Sequence, residues 1–299
     1  MPSLRPLRVG PLLLLVAALG CGSDGSGPDP TEQPELHDVI VYERLMRLGV
    51  VVPDGSGERL IPVGDDLLII DPAISPDGRQ IAFSGLRGDQ WDLFVINVDG
   101  SGRRQLTQDT LFESGPAWSP DGDSLMFGLG LGLTVMAADG SGRREMLLDA
   151  GRGAGGGRWS PDGRRIVFYG YGEQPAGIYT MDPDGRNVSR LDQVCDLASG
   201  VDCSDSNARW SPDGQYIAFM RFFAGGRTGA GIMRADGSMS RILFPTLHTG
   251  PAVWSPDGER VALTRWDPDE GYSLYVVTVA TGDTVRLPST YAFVSDWAQ

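Results

Sequence analysis

Ser-Pro-Asp-Gly occurs five times in this 299-residue chain, at Ser75–Gly78, Ser119–Gly122, Ser160–Gly163, Ser211–Gly214 and Ser255–Gly258. Successive copies lie 44, 41, 51 and 44 residues apart, so the chain is built from a repeated unit rather than one irregular fold. Ile74 or a Trp (Trp118, Trp159, Trp210, Trp254) precedes each copy. An apolar alternation follows it: Ile81/Phe83, Leu125/Phe127, Ile166/Phe168, Ile217/Phe219 and Val261/Leu263. That period of two reads as a half-buried strand. The tetrapeptide reads as a hairpin turn. Pro presets φ near about −65° at the second position of a type I turn, Asp suits the third, and Gly accepts the positive φ that follows.

A second turn recurs about twenty residues later, at Asp54-Gly55, Asp99-Gly100, Asp139-Gly140, Asp184-Gly185 and Asp236-Gly237, with Thr281-Gly282 as the variant. Apolar strands such as Leu93–Val98 precede it, and short Arg-containing strands such as Arg104–Leu106 follow it. Each repeat thus holds four strands in meander order, A to D. Units of this kind are the blades of a β-propeller. Residues 38–299 hold six of them at about 44 residues each. Six C–D turns are present against five Ser-Pro-Asp-Gly turns, and Trp297 stands 43 residues after Trp254, where the Trp before a sixth such turn belongs. Residues 291–299 are therefore expected to form strand A of the blade whose strands B, C and D come from residues 38–61, closing the ring and removing its free edges.

The Trp-Ser-Pro-Asp-Gly turn, the alternation after it and the Asp-Gly turn together resemble the repeats of the TolB-like six-bladed propeller family, over roughly residues 38–299. The resemblance implies an all-β, six-bladed propeller of four-stranded antiparallel blades. TolB carries an additional α/β domain before its propeller, for which this chain has no room, so the expectation is a stand-alone propeller. The same repeat type resembles the non-catalytic domain of prolyl-oligopeptidase-like peptidases and, more loosely, some lyases.

The N-terminus points to export. Arg5 and Arg8 precede an apolar stretch, Val9–Gly20, too short to cross a bilayer and suited to a signal-peptide core. Ala18-Leu19-Gly20-Cys21 resembles a bacterial lipoprotein cleavage box, which makes residues 1–20 the signal peptide and Cys21 the lipid-modified residue. Residues 21–36 are nearly devoid of apolar side chains and read as a flexible tether to a propeller at residues 37–299. The protein is thus expected outside the cytoplasm, held to a membrane by its lipid, on the periplasmic side or at the outer membrane.

Formal charge is −14, and removal of the signal leaves 23 basic against 39 acidic residues. Such a surface repels nucleic acid, which is set aside as a partner. Cys195 and Cys203 lie in the longest repeat, and in an oxidising compartment their spacing favours a disulfide. Acidic clusters at Asp182/Asp184, Asp192/Asp196/Asp202/Asp205 and Asp267/Asp269/Glu270 offer oxygen ligands of the kind Ca²⁺ takes, though solvated turn aspartates account for them better. No cofactor is called for.

Because the four strands alternate direction, the A–B and C–D turns share one face and the B–C and D–A connections the other. The turns are uniform, so the variable loop face is the expected binding surface. Its candidates are Arg87, Asp89 and Trp91; Tyr169 and Tyr171; Arg221, Phe222, Phe223 and Arg227; and Arg265, Trp266 and Asp267. The D–A loops add Asp109, Phe112, Glu113, His248 and Tyr291. Arg and aromatic residues together mark binding hot spots, while the alternative is that Phe222 and Phe223 pack between blades and Trp266 covers its own loop. Only two histidines occur, and the nucleophile elbow, the His-Glu-x-x-His motif and a glycine-rich phosphate loop are all missing. Two readings follow. The first is a monomeric, non-catalytic envelope lipoprotein binding a protein, peptide or glycan through the loop face. The second is a small propeller enzyme, a lyase or hydrolase acting on polysaccharide or peptide, with acidic residues or His248 near the central channel; it needs carboxylates converging across blades or a His-bound metal.

Overall fold

The computed structural model describes residues 35–108, 110–146, 152–172, 176–191, 203–245, 249–290 and 292–298. Contacts divide the chain into two units, residues 1–33 and Pro34–Gln299, and the fold belongs to the second. Its strands form six four-stranded antiparallel sheets. Blade I joins β24 (Ala292–Trp297), β1 (Ile40–Arg44), β2 (Arg47–Val51) and β3 (Arg59–Leu60). Blade II is β4 (Leu68–Ile74), β5 (Gln80–Arg87), β6 (Gln90–Asn97) and β7 (Arg104–Gln105). Blade III is β8 (Glu113–Trp118), β9 (Ser124–Leu129), β10 (Gly132–Ala137) and β11 (Arg144–Met146). Blade IV is β12 (Arg152–Trp159), β13 (Ile166–Gly172), β14 (Gly177–Met181) and β15 (Ser189–Arg190). Blade V is β16 (Cys203–Trp210), β17 (Tyr216–Phe223), β18 (Arg227–Arg234) and β19 (Arg241–Pro245). Blade VI is β20 (Thr249–Trp254), β21 (Arg260–Asp267), β22 (Gly271–Thr278) and β23 (Thr284–Thr290). The strands β24, β4, β8, β12, β16 and β20 touch one another in turn around the ring and wall a central channel.

Closure follows the expected route. β24 pairs with β1 from Ile40↔Trp297 to Arg44↔Ala292. The Trp297 indole N–H donates to Asp38 at 2.9 Å, the Ala298 N–H to the Val39 carbonyl at 2.9 Å, and the Ile74 N–H of blade II to the Asp296 carboxylate at 3.0 Å. The two chain ends are thereby knitted into one sheet and tied to the next.

Each Ser-Pro-Asp-Gly forms the same turn. In Ser160–Gly163 the Gly163 N–H returns to the Ser160 carbonyl at 2.9 Å, and Gly163 has φ of 69°. The Ser160 hydroxyl donates to Asp162 at 2.6 Å and accepts the Arg165 N–H at 2.9 Å. That hydroxyl bond, with the Arg164 N–H, holds the Asp162 carboxyl below its ordinary value. The turn also reaches across blades. A Cβ placed on Gly122, Gly214 or Gly258 would lie 3.8 Å from the Cδ of Pro76, Pro161 or Pro212, the proline of the preceding blade's turn. Trp118 and Trp254 donate their indole N–H to the Ala73 and Arg209 carbonyls of the preceding blade.

The strand after each turn is buried on both faces, not one. Ile81, Phe83 and their equivalents are buried as expected, but so are the intervening Ala82, Met126, Val167, Ala218 and Ala262. The reason is that every blade has a neighbour on each side. The core is accordingly six apolar clusters, each lying between two successive blades. Loss of any one blade face exposes a cluster. Deleting residues 292–299 should therefore abolish cooperative unfolding or lower the melting temperature sharply. A melting curve superimposable on that of the full chain would contradict closure through β24.

Candidate binding faces

Length variation is concentrated in the D–A connections, which run from 1 to 12 residues, while the B–C connections hold 2 to 4. Among the sequence candidates, Cys21, Asp109, Asp192, Cys195, Asp196, Asp202, His248 and Tyr291 lie outside the described residues, and Cys203 is placed by its backbone alone at the start of β16. The others occupy separate blades. Arg87 ends β5, donates to Asp66 at 3.1 Å and lies over the Phe94 ring. Trp91 meets Phe112 edge to face at 5.9 Å, joining the loops of blades II and III. Tyr169 and Tyr171 stack on each other at 5.8 Å. Arg265 covers Tyr275, and Trp266 pairs across its hairpin with Tyr272. Phe222 and Arg227 are exposed, and Phe223 is half-buried.

Two candidates turn out to be held inside the fold. Arg221, 7% exposed, makes a bidentate pair with Asp205 at 2.7 and 2.6 Å and lies over the Phe219 ring. Replacing it with Ala would leave Asp205 buried without that partner, at a cost of about 3–5 kcal/mol. Such a variant reports folding, not recognition. Glu113 begins β8 fully buried, hydrogen-bonded by the Thr107 hydroxyl and facing Arg143 at 3.3 Å.

The loop face also carries side chains that the search for Arg and aromatic residues passed over. Leu45 and Met46 form the two-residue turn between β1 and β2, both at positive φ, and Leu45 is 74% exposed. Leu131, at the β9–β10 turn, is 73% exposed. Leu68, Leu111, Phe112, Phe222 and Phe293 are exposed near the same end of the strands.

At the opposite, turn-side end the channel opens into a cavity of about 260 Å³, lined by the tryptophans Trp118, Trp159, Trp210, Trp254 and Trp297. The residue before each Trp or Ile74 also lines it: Ala73, Ala117, Arg158, Arg209, Val253 and Asp296. A register break three residues before the turn recurs in every inner strand, with Asp71, Gly115, Gly156 and Asn207 at positive φ. Bulges of this kind bend a strand and redirect the side chains after it. Burial and the neighbouring Arg209 push Arg158 down to about 9, against the pull of Asp296 and Asp71, so it is cationic at neutral pH. Burial holds the Asp296 carboxyl above its ordinary value, opposed mainly by Arg209.

Among the described residues no group of three or more His, Cys, Asp or Glu is placed to hold a metal ion. One pair of carboxylates does converge across blades. Burial, followed by the charge of Asp71, raises Glu43 to about 7, against an Asp71 N–H hydrogen bond that lowers it. The folded chain therefore binds this proton more tightly than the unfolded chain, whose Glu43 titrates near 4.5. The associated stability is fully present below the unfolded value and is lost as pH rises through about 7. Glu43→Gln should accordingly raise the melting temperature relative to the parent at pH 8 by more than at pH 4.5. A difference independent of pH would remove Glu43 from this role.

No family model matches the chain. It is 30% identical over 161 residues to the uncharacterized protein Atu1656 of Agrobacterium fabrum, covering 50% of this chain and 53% of that protein. It is 29% identical over 227 residues to the Tol-Pal system protein TolB of Gluconobacter oxydans, covering 75% of this chain and 48% of that one. The crystal structure of TolB from Acinetobacter baumannii superposes with a TM-score of 0.72 at 22% identity, over 87% of this chain and 66% of that chain. The fold is a TolB-like six-bladed β-propeller. The chain spans about half the length of these curated relatives.

Proposed function

We propose that this TolB-like propeller is an extracytoplasmic, lipid-anchored scaffold that binds a protein or peptide through its loop face. One observation carries the choice of face. Leu45, Met46, Leu68, Leu111, Phe112, Leu131, Phe222 and Phe293, most of the large apolar side chains that the described residues expose, stand at the loop end of the strands. Scattered apolar residues are ordinary on any surface, but their concentration at one end of a rigid ring, beside Arg87 and Arg227, gives an interface both apolar anchors and charged partners.

Peptides selected by display against the full chain test the assignment. Phe222→Ala and Arg227→Ala should weaken them by about 1–3 kcal/mol each. Arg186→Ala, at a fully solvated C–D turn, should leave them unchanged, as should the folded fraction of all three variants. Equal loss with Arg186→Ala, or enrichment of glycans and not peptides in a parallel array, would overturn the reading. The anchor has its own check: acyl label should be recovered on the parent chain and be lost in Cys21→Ser.

A further inference from the structure

The turn-side cavity carries a polarity that the propeller fold does not require. Of the six residues that precede the inner-strand Trp or Ile74, three are Ala or Val, two are arginines on adjacent blades, and one is Asp296. Arg158 donates from Nη1 to the Gly115 and Gly157 carbonyls at 3.1 and 2.8 Å, and among the described residues its Nε and Nη2 have no acceptor. The Arg209 guanidinium, 18% exposed, reaches Asp296 only at 3.9 Å and makes no side-chain hydrogen bond there. Trp210, next to Arg209 in the wall, holds a buried indole N–H without an acceptor among the described residues, whereas Trp118, Trp254 and Trp297 all donate theirs. The unused donors therefore belong to blades IV and V.

Asp296 does not supply the missing acceptor in this arrangement, since the Arg209 guanidinium stays 3.9 Å away. Its Oδ2 accepts the Ile74 N–H and its Oδ1 the Trp297 N–H, both at 3.0 Å, so it is committed to the ring closure. Both arginines are only partly buried, so their free donors are open to a ligand entering the cavity, and a planar fork is matched by a carboxylate. With Asp296 ionised, the charged groups lining the cavity, Arg158, Arg209 and Asp296, sum to one positive charge, which balances a monoanion better than a dianionic phosphate. At about 260 Å³ the space is near the lower end for ligand pockets and suits an inserted side chain or chain end rather than a large cofactor. The tryptophans around it offer apolar surface to whatever carries the anion.

We infer that the turn-side mouth is a second binding site, separate from the loop face, in which Arg158 and Arg209 clamp the carboxylate of a peptide while the tryptophan wall packs against the residues beside it. The carboxylate has two sources, an acidic side chain or a chain terminus, and they are separable by experiment. The full chain, labelled with ¹⁵N in arginine, is titrated with acetyl-Ala-Asp-Ala-amide, its Asn twin, acetyl-Ala-Ala-Ala with a free carboxylate, and inorganic phosphate. The Nε signals of Arg158 and Arg209 are assigned by their disappearance in Arg158→Gln and Arg209→Gln. Saturable displacement of both signals is expected with the Asp peptide or the free terminus, whichever is the source, with the Asn twin at least about tenfold weaker. Arg158→Lys and Arg209→Lys keep the charge but lose the fork, and should weaken binding with the fold intact by melting temperature. The inference is overturned if neither carboxylate peptide saturates by about 10 mM. It is equally overturned if the Asn twin binds as well, if phosphate binds tighter than both, or if the shifts spread over exposed arginines such as Arg186 and Arg227.

Discussion

Each blade is held by what its turn gives to the next. Pro76, Pro161 and Pro212 stand beside the turn glycine of the following blade, 3.8 Å from where a Cβ would lie, and Trp118 and Trp254 return an indole N–H to the preceding one. A four-stranded sheet with two apolar faces has no stable existence alone in water, so its burial depends on these sideways contacts as much as on its own ladder. The tetrapeptide therefore does two jobs at once: it reverses the chain between the two innermost strands and sets the spacing at which neighbours interlock. This explains why the turn side is uniform around the ring while the other side is free to differ.

The places where the pattern breaks are where other demands enter. Blade I has no Ser-Pro-Asp-Gly, and the segment ahead of β1 supplies stitching there: the Leu36 N–H donates to the Gly78 carbonyl at 2.8 Å, with Leu36 buried against the cluster between blades I and II. Asp296 and Trp297, from the far end of the chain, complete that junction. Blades IV and V put arginines where blades II and III put alanines, at a cost in desolvation that the ring itself does not need.

Much of this could be read from one sequence because the signal repeats. Five turns in register give the unit, and the spacing of Trp297 from Trp254 gives the closure. Two-sided burial was hidden because Ala82, Ala218 and Ala262, seen singly, look like spacers between the larger residues rather than a second packed face. Arg221 looked like a loop residue, but β17 continues to Phe223, so Arg221 falls inside the sheet and meets Asp205 across the ladder. Arg158, Arg209 and Asp296 were visible as the residues before three tryptophans; that they face one cavity depends on curvature and on the recurrent bulge, neither of which a linear pattern encodes. The exposed Leu45 and Leu131 were likewise passed over because only Arg and aromatic residues were sought.

Native-state hydrogen exchange of the full chain tests the interlocked ring most directly. The hydrogen-bonded amides of Gly122, Gly163 and Gly214 in the turns, of Ile74, and of Ala298 at the closure are all held by contacts between or within neighbouring blades. The account predicts that they exchange only through one global opening, with the same free energy as the central amides of β9, β13 and β17, while the amides of the B–C loops exchange faster. If β24 and β1 instead open together at a lower free energy than the other blades, or if the turns open before the loops, the ring is not held by its turns.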